Sequence, residues 1–322
     1  QHTKMKIAIL YNKVSENAAD DESDVLDQVE LVENNLIKLG HTVKHIQITL
    51  DMQSTKNELI DGDYDAVFNL AESIDNHGEL ITFGPALVDV LKIPYSGSSY
   101  EAIFLTTNKP VTKILLEHSS ILTPQTISPQ NINAIDINKR YIIKPIWEDG
   151  SLFLDEDCVV YGKELIDRII DIDFRYFFVE QYIDGREFNI SILAQLSKEP
   201  QVLKPAEIVF KNYSGDKPKI VGYSAKWAEE SFEYKNTVRE FPSIGQTLHD
   251  KLNKVCTDCW KLFKLKGYAR VDIRLDEHEN PYVLEINANP CISPDSGFVA
   301  ALKESGITET EAIERIINDL NN

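Results

Sequence analysis

Two segments near the C-terminus carry residues whose types and spacing could do chemistry. Arg270-Val-Asp272-Ile-Arg274-Leu-Asp276 alternates polar and apolar residues with period two, and so does Val283-Leu-Glu285-Ile-Asn287-Ala-Asn289. Between them residues 277–280, Glu-His-Glu-Asn, have turn composition, so the pair reads as a hairpin. Setting Asp276 opposite Pro281 and counting back puts Asp272 across from Glu285 and Arg270 across from Asn287 on one face. Val271, Ile273, Leu275, Leu284 and Ile286 then point the other way. Carboxylates directly opposed on a sheet repel, and a hard divalent cation removes that objection. Two carboxylates with an amide oxygen suit Mg²⁺ or Mn²⁺ and leave positions for water and phosphate oxygens. The alternative is an exposed face whose repulsion solvent and Arg274 relieve.

Charge narrows the partners. Lys and Arg number 33 against 52 Asp and Glu, a net charge of −19 that repels a phosphate backbone, so no nucleic-acid partner is expected. A bound nucleotide would need a few cations gathered in one cleft. Lys144, ending a strand-like 140–145, and Lys109, starting a helical 109–118, are candidates, although each taken singly also reads as an ordinary surface residue. The G-x-x-x-x-G-K-S/T loop, a G-x-G-x-x-G after the first strand, and the protein-kinase motif set are all absent from the sequence. Four cysteines make no disulfide framework. Cys256 and Cys259 have CxxC spacing but lie in a helical stretch, 247–264, without a second pair, and read as small apolar residues rather than a metal or redox site. A reducing, cytoplasmic setting fits. No apolar run approaches the roughly 18 residues of a membrane span, so no membrane partner is expected. Residues 1–4, ahead of Met5, read as a tag remnant or an untrimmed leader.

The elements that must position these residues follow from periodicity. Residues 5–11 are a near-continuous apolar run, as in a buried parallel strand, and 24–39 carry a helical stripe of Val25, Val29, Val32, Leu36 and Leu39 closed by Gly40. Strands are expected at 42–48 and 64–70, a helix over 80–91, and a short strand turning out at 93–97. That alternation predicts an open α/β domain over residues 1–105. From there the pattern changes to helix 109–118, a polar stretch 123–139, strands 140–145, 175–183 and 187–194, and a helix at 163–172. Further strands, the 247–264 helix, the hairpin at 267–289 and helices at 298–304 and 308–320 complete the chain. Boundaries fall near 105 and 190, giving parts 1–105, 106–190 and 191–322.

At this point the residues resemble a family. Tyr141-Ile-Ile-Lys144-Pro145, Phe178-Val-Glu180-Gln-Tyr-Ile-Asp-Gly-Arg-Glu187-Phe188, and Tyr268-Ala-Arg270-Val-Asp272 running to Val283-Leu-Glu285-Ile-Asn287 look like the ATP-grasp ligases, and specifically their D-alanine–D-alanine ligase branch. The resemblance runs from about Lys6 to the C-terminus. It implies an ATP-grasp fold, with an N-terminal open α/β substrate domain followed by two α+β subdomains clasping ATP. Lys109 and Lys144 would contact the ATP phosphates, with Lys144 also close to the adenine. Glu180 would take the adenine amino group, the backbone at Gln181 and Ile183 would read the ring edge, and Glu187 would hold the ribose hydroxyls. Lys226, in Tyr223-Ser-Ala-Lys226-Trp227, would reach the terminal phosphate from a mobile loop. Asp272, Glu285 and Asn287 would hold two Mg²⁺, Mn²⁺ being able to substitute, and Arg270 would stabilise the transferred phosphoryl and the tetrahedral intermediate. A homodimer through the first domain is common among such relatives.

The family pattern breaks where substrates bind. The glycine-rich loop after the first strand is replaced by Leu10-Tyr-Asn-Lys-Val-Ser-Glu16, in which Glu16 either pairs with a substrate amine or is a solvated loop residue. Glu72 stands where the family has a histidine, and His77 is a partial substitute or a plain loop histidine. The small-residue phosphate loop becomes Trp147-Glu-Asp-Gly-Ser151, and Trp227 replaces a lid tyrosine in the polar segment 216–232, the expected lid. Cys291 replaces a glycine whose amide lines the oxyanion site, and Ser296 matches the position that binds the second substrate's carboxylate. The expected activity is therefore an ADP-forming ligation of a small carboxylate, of an amino acid, to an amine through an acyl phosphate, with an altered substrate pocket. The cell-wall dipeptide reaction is the alternative. A carboxylate kinase, a non-catalytic ATP-binding protein and a simple acidic binding protein are the other-class readings.

Overall fold

The computed structural model describes residues 3–15, 20–147, 154–197 and 199–320. The chain begins as expected with β1 (Lys6–Asn12), α1 (Asp20–Lys38) and β2 (Thr42–Ile48). Gly40, at φ +89°, ends α1: His41 N–H reaches back to Leu36 O at 3.1 Å, a return that places the residue in the left-handed region. Next come α2 (Met52–Gly62), β3 (Ala66–Asn69) and α3 (Phe83–Val90). The first sheet runs β2-β1-β3, all parallel, and Val67 also bridges to Tyr95. Its two faces are buried separately. One packs Ile7 and Ile9 against Val25, Val32 and Leu36 of α1 and against the C-terminal helices; the other packs Ala8 and Leu10 with Leu59 and Val88. The sequence pattern predicts no helix at α2, because its inward stripe amounts to Thr55 and Leu59 in an otherwise polar run.

Two helices lead out of this part, α4 (Tyr100–Thr107) and α5 (Lys109–His118). Ser99 caps α4 through Ala102 N–H at 3.2 Å, and Asn108 caps α5 through Val111 N–H at 3.1 Å. That break makes Lys109 the first residue of α5. Then follow β4 (Thr126–Ile127), β5 (Arg140–Pro145), β6 (Val159–Tyr161), α6 (Gly162–Arg168) and β7 (Phe177–Gln181), which form an antiparallel sheet in the order β4-β7-β5-β6. Ile127, Tyr141, Val160 and Val179 from this sheet bury Leu165 of α6.

The remaining strands and helices are β8 (Glu187–Leu193), β9 (Gln201–Val202), β10 (Ala206–Phe210), α7 (Tyr223–Trp227), α8 (Phe232–Asn236), β11 (Thr237–Glu240), α9 (Gln246–Leu262), β12 (Tyr268–Leu275), β13 (Pro281–Asn287), α10 (Gly297–Glu304) and α11 (Glu309–Asn318). Six of these strands form one antiparallel sheet, β11-β10-β8-β12-β13 with β9 beside β8. Its apolar face, with Ile190, Ile192, Val271, Ile273 and Ile286, is covered by Leu252, Cys256, Cys259 and Trp260 of α9 and by Ala102, Ile103 and Leu116 of α4 and α5. Cys256 and Cys259 are thus buried free thiols on a helix, and burial pushes both up from the usual thiol range. Gly267, just before β12, passes so close to Gly97 that a Cβ would lie 2.9 Å from the Gly97 Cα. The segment leaving the first sheet and the start of β12 are therefore held together at a point where Gly267 has no room for a side chain.

The hairpin register is as expected at its functional end and differs at its tip. Arg270 lies opposite Asn287 and Asp272 opposite Glu285, but Leu275, not Asp276, is the residue opposite Pro281. One residue of β13, Leu284, is accommodated as a bulge. The bulge turns Leu284 away from the apolar face, so Val283 enters the core in its place and Leu284 lines the cleft described below. The cause is visible around it: Thr123 Oγ1 donates to Val283 O at 2.8 Å and Lys113 Nζ to Leu284 O at 3.1 Å. Among the described residues no helix is long and apolar enough to cross a membrane.

Candidate active site

Between the four-stranded sheet and the six-stranded sheet lies a cavity of about 520 Å³. Period two explains its floor. Glu187 and Asn189 of β8 pair with Arg274 and Asp272 of β12, whose own neighbour across β13 is Glu285, so all five side chains fall on one sheet face and line the cavity. Lys109, Lys144, Glu180, Gln181, Ile183, Lys226 and Arg270 line it too. Asn287, opposite Arg270 at the end of β13, completes the same face, and its Oδ1 accepts from Asn289 N–H at 3.0 Å. Ile142, Ile208, Ile220 and Leu284 supply apolar walls.

Charge in the cavity is arranged in pairs. Glu180 is fully buried between two lysines, with Lys113 Nζ at 2.5 Å and Lys144 Nζ at 2.8 Å. Burial would raise this carboxyl, but the two ammonium groups outweigh it and the net shift is downward. Burial pulls Lys113 below the usual lysine range, with Glu180 opposing. For Lys144 burial acts in the same sense, but Glu180 and Glu285 more than offset it. Glu187 accepts two hydrogen bonds from Arg274, at 3.0 and 2.7 Å, and Arg274 also donates to Ile183 O at 2.9 Å and to Lys219 O. Arg270 grips Asp272 with two bonds of 2.8 Å, while Lys109 and Arg270 each stand 4.0 Å from Glu285.

The two opposed carboxylates are driven apart. Burial, with Glu285 across the strand, pushes Asp272 up to about 6 in spite of Arg270. Burial acts upward on Glu285 as well, but Lys109, Lys144 and Arg270 bring it down to about 2. A dication fits this donor set. Asp272 is a buried carboxyl that a second positive charge would ionise fully, Glu285 is already ionised, and Asn287 offers a neutral oxygen. Among the described residues no group of three or more His, Cys, Asp or Glu is arranged to hold a metal, so the third protein oxygen would be that amide.

The positions marked as substrate-binding are spread more widely. Glu72 accepts from Gln28 Nε2 at 2.8 Å, and Cys291 Sγ donates to Asp24 Oδ2 at 2.9 Å, so both lie where α1 meets the loop after β13. Burial, Glu72 and Asp24 push the Cys291 thiol upward. Ser296 caps α10, accepting from Val299 N–H at 3.2 Å. His77 stands apart, exposed beside Glu79 at 3.5 Å. Trp227 follows Lys226 at the end of α7. Glu16 and residues 148–151 of the replaced phosphate loop lie outside the described residues; Trp147 packs on Phe104, ring centroids 5.7 Å apart. Sequence reasoning missed Lys113, Asn189, Leu284, Arg239 and Asp295 as site residues. Two of them had a signal: Lys113 stands four residues after Lys109 on the same helix face, and Asn189 two residues after Glu187 on the same strand face.

Three sheets, the last two closing on a cleft with basic walls and an acidic floor, define the ATP-grasp architecture. Over 98% of this chain and 97% of the other, it superposes with TM-score 0.74 at 21% identity on the D-alanine–D-alanine ligase of Bacillus anthracis complexed with ATP. Residues 160–318 match the D-ala D-ala ligase C-terminus family. The D-alanine–D-alanine ligase of a Synechococcus species is 30% identical over 244 residues, 72% of this chain and 70% of the relative. An uncharacterized Sinorhizobium fredii protein, y4sG, is 30% identical over 257 residues, 78% of this chain and 73% of that one. The chain belongs to the D-alanine–D-alanine ligase family and is an ATP-dependent C–N ligase of that type.

Proposed function

We propose that the protein joins a small carboxylate, of an amino acid, to an amine other than in the D-alanyl-D-alanine pairing, forming ADP and phosphate. The observation that carries this reading is the contrast within the site. The paired charges of the nucleotide end, Glu180, Glu187, Asp272 and Glu285 with their cations, form one continuous wall, whereas Glu72 and Cys291 fill the neighbouring α1 junction with a carboxylate and a thiol bonded to Asp24. The cell-wall dipeptide reaction is the second reading, favoured by the named relatives.

In the first step a carboxylate oxygen of the donor attacks the γ-phosphorus of ATP and ADP leaves, giving an acyl phosphate. Lys109, Lys144 and Lys226 neutralise the phosphates, Glu180 accepts the adenine amino hydrogen, the backbone at Gln181 and Ile183 meets the ring edge, and Glu187 takes the ribose hydroxyls. Mg²⁺ on Asp272, Glu285 and Asn287, two ions with Mn²⁺ as substitute, would supply charge neutralisation for phosphoryl transfer. Arg270 faces the same floor, and its guanidinium is available to the transferred phosphoryl once Asp272 is otherwise engaged. In the second step the amine nitrogen attacks the acyl carbon, phosphate leaves and the nitrogen loses a proton. Arg270 and, as the family resemblance implies, the Cys291 N–H would stabilise the oxyanion that develops. Segment 216–232, which contributes Ile220, Val221, Ala225 and Lys226 to the cavity wall, serves as the lid that excludes water.

The division into 1–105, 106–190 and 191–322 belongs to the same proposal; each part contributes one sheet, and β8 crosses the second boundary. Exposed Leu50, Ile60 and Val90 on the first part support a homodimer, and ATP use with four free cysteines supports a cytoplasmic setting. The test is ADP release from Mg-ATP with pools of D- and L-amino acids, small peptides and other carboxylates, with Asp272→Ala/Glu285→Ala as control. Release with D-alanine alone would select the dipeptide reaction. Silence from every pool would remove the ligase reading for these substrates.

A further inference from the structure

The acids of the cavity floor are each met by a cation: Glu180 by Lys113 and Lys144, Glu187 by Arg274, Asp272 by Arg270, and Glu285 by Lys109 at 4.0 Å. Arg239 of β11 also lines the cavity, yet among the described residues no carboxylate lies within ion-pair distance of it. Asp295 lines the same cavity and its charge acts on Arg239 from beyond ion-pair distance, while its Oδ1 accepts from Ser293 Oγ at 3.0 Å. In a chain with 52 acidic residues, a cleft guanidinium without a direct ion-pair partner among the described residues is conspicuous.

Its placement says what kind of anion is missing. The guanidinium lies over Gly297 at the start of α10, where an added Cβ would be 3.5–3.6 Å from Nη2, Cζ and Nε. Partial burial of the guanidinium at the cavity mouth and repulsion from Arg270 pull Arg239 below the usual arginine range, with Asp295 opposing. β11 is the edge of the six-stranded sheet farthest from β13, whereas the nucleotide-facing lysines, Lys109 and Lys144, come from α5 and β5. The anion that relieves Arg239 thus approaches from the α10 side, beyond Arg270, and reaches outward to the cavity mouth, where Arg239 is exposed. One carboxylate close to the reacting nitrogen would be met by Ser296 and Arg270 deeper in. A fork of five donors at the mouth suits a second anionic group some bonds away.

Resting on the ligase reading above, we infer that Arg239 is a specificity-determining residue that binds an acidic side group of the amine substrate, so that the acceptor is an acidic amino acid rather than a neutral one.

Calorimetric titration of the Mg-ADP-loaded protein with D- and L-aspartate, D- and L-glutamate and D- and L-alanine tests this without turnover. At least one acidic amino acid binds more tightly than either alanine. Arg239→Leu weakens that binding about 10- to 100-fold, the loss of a charge-assisted bidentate contact, and Arg239→Lys recovers part of it. Mg-ADP affinity moves less than about twofold in both variants, which also reports that they fold. Acidic amino acids bound no better than alanine, or an Arg239→Leu loss falling on Mg-ADP instead, would overturn the assignment. Absence of amine-dependent ADP release in the wild type would sink the ligase reading separately, since these titrations do not depend on catalysis.

Discussion

Lys113 offers the most exposing test of how the cavity wall is built. Its side chain and that of Glu180 are each 1% exposed, and its ammonium forms an ion pair with Glu180 at 2.5 Å while donating to Thr123 Oγ1 at 3.0 Å and to Leu284 O at 3.1 Å. Lys113→Met keeps the stem and removes the charge. Breaking a buried pair costs about 3–5 kcal/mol, and the Lys144 ammonium left on Glu180 places this case near the lower bound, about 3 kcal/mol. At roughly 2–4 °C per kcal/mol for a chain of this size class, the midpoint of thermal unfolding falls by about 6–12 °C. Glu180→Gln, which strands two cations, should cost at least as much. The double variant Lys113→Met/Glu180→Gln should lose clearly less than the sum, because each single change leaves a charge that the other removes. Differential scanning fluorimetry on the four proteins reads the cycle. A Lys113→Met midpoint within about 2 °C of wild type, or strictly additive losses, would refute the claim that this cluster is a buried, mutually compensating unit.

Other consequences follow from the same geometry. Asp272 titrates near 6, so metal must displace its proton below that pH; Mn²⁺ affinity measured by electron paramagnetic resonance should be flat above about pH 7 and fall by up to about tenfold per unit below 6. The sign for stability is the opposite of a paired carboxylate: a pKa raised from 3.8 penalises the apo fold as pH rises from 3.8 through 6, so added Mg²⁺ should raise the melting midpoint more at pH 7.5 than at pH 5. Leu284→Ala removes an apolar wall of the cleft without touching a charge, and should weaken ATP binding about 5- to 10-fold in equilibrium titration, from the lost apolar burial. Arg274→Met strips Glu187 of both its hydrogen bonds and should destabilise the fold by about 3–5 kcal/mol in urea unfolding, with an unchanged midpoint counting against the brace.

Much of the site was readable because strands repeat every two residues. The alternation around Asp272 and Glu285 fixed both the face and the partner of each residue, and the opposed pairs lie in that register. The tip of the hairpin was not readable, since the bulge at Leu284 depends on Lys113 and Thr123, which are more than 150 residues away in sequence. Single lysines look like surface residues in a sequence, yet Lys109 and Lys113 are buried here, because helix α5 is pressed onto β13 and their ammonium groups meet acids from other elements. Helix α2 escaped notice for the converse reason: with Thr55 and Leu59 as its buried residues it is held by a cap and one stripe too thin to stand out. Arg239 carried no signal at all, since its significance lies in which acids are absent around it.

The central claim is that a carboxylate is activated as its acyl phosphate and then captured by an amine. Once the substrate screen has named a pair, the donor acid should be supplied with ¹⁸O in its carboxylate and the released phosphate examined by mass spectrometry. The account predicts one labelled oxygen per phosphate, release that depends on the amine, and loss of both in Asp272→Ala/Glu285→Ala. Unlabelled phosphate, or release indifferent to the amine, would contradict it.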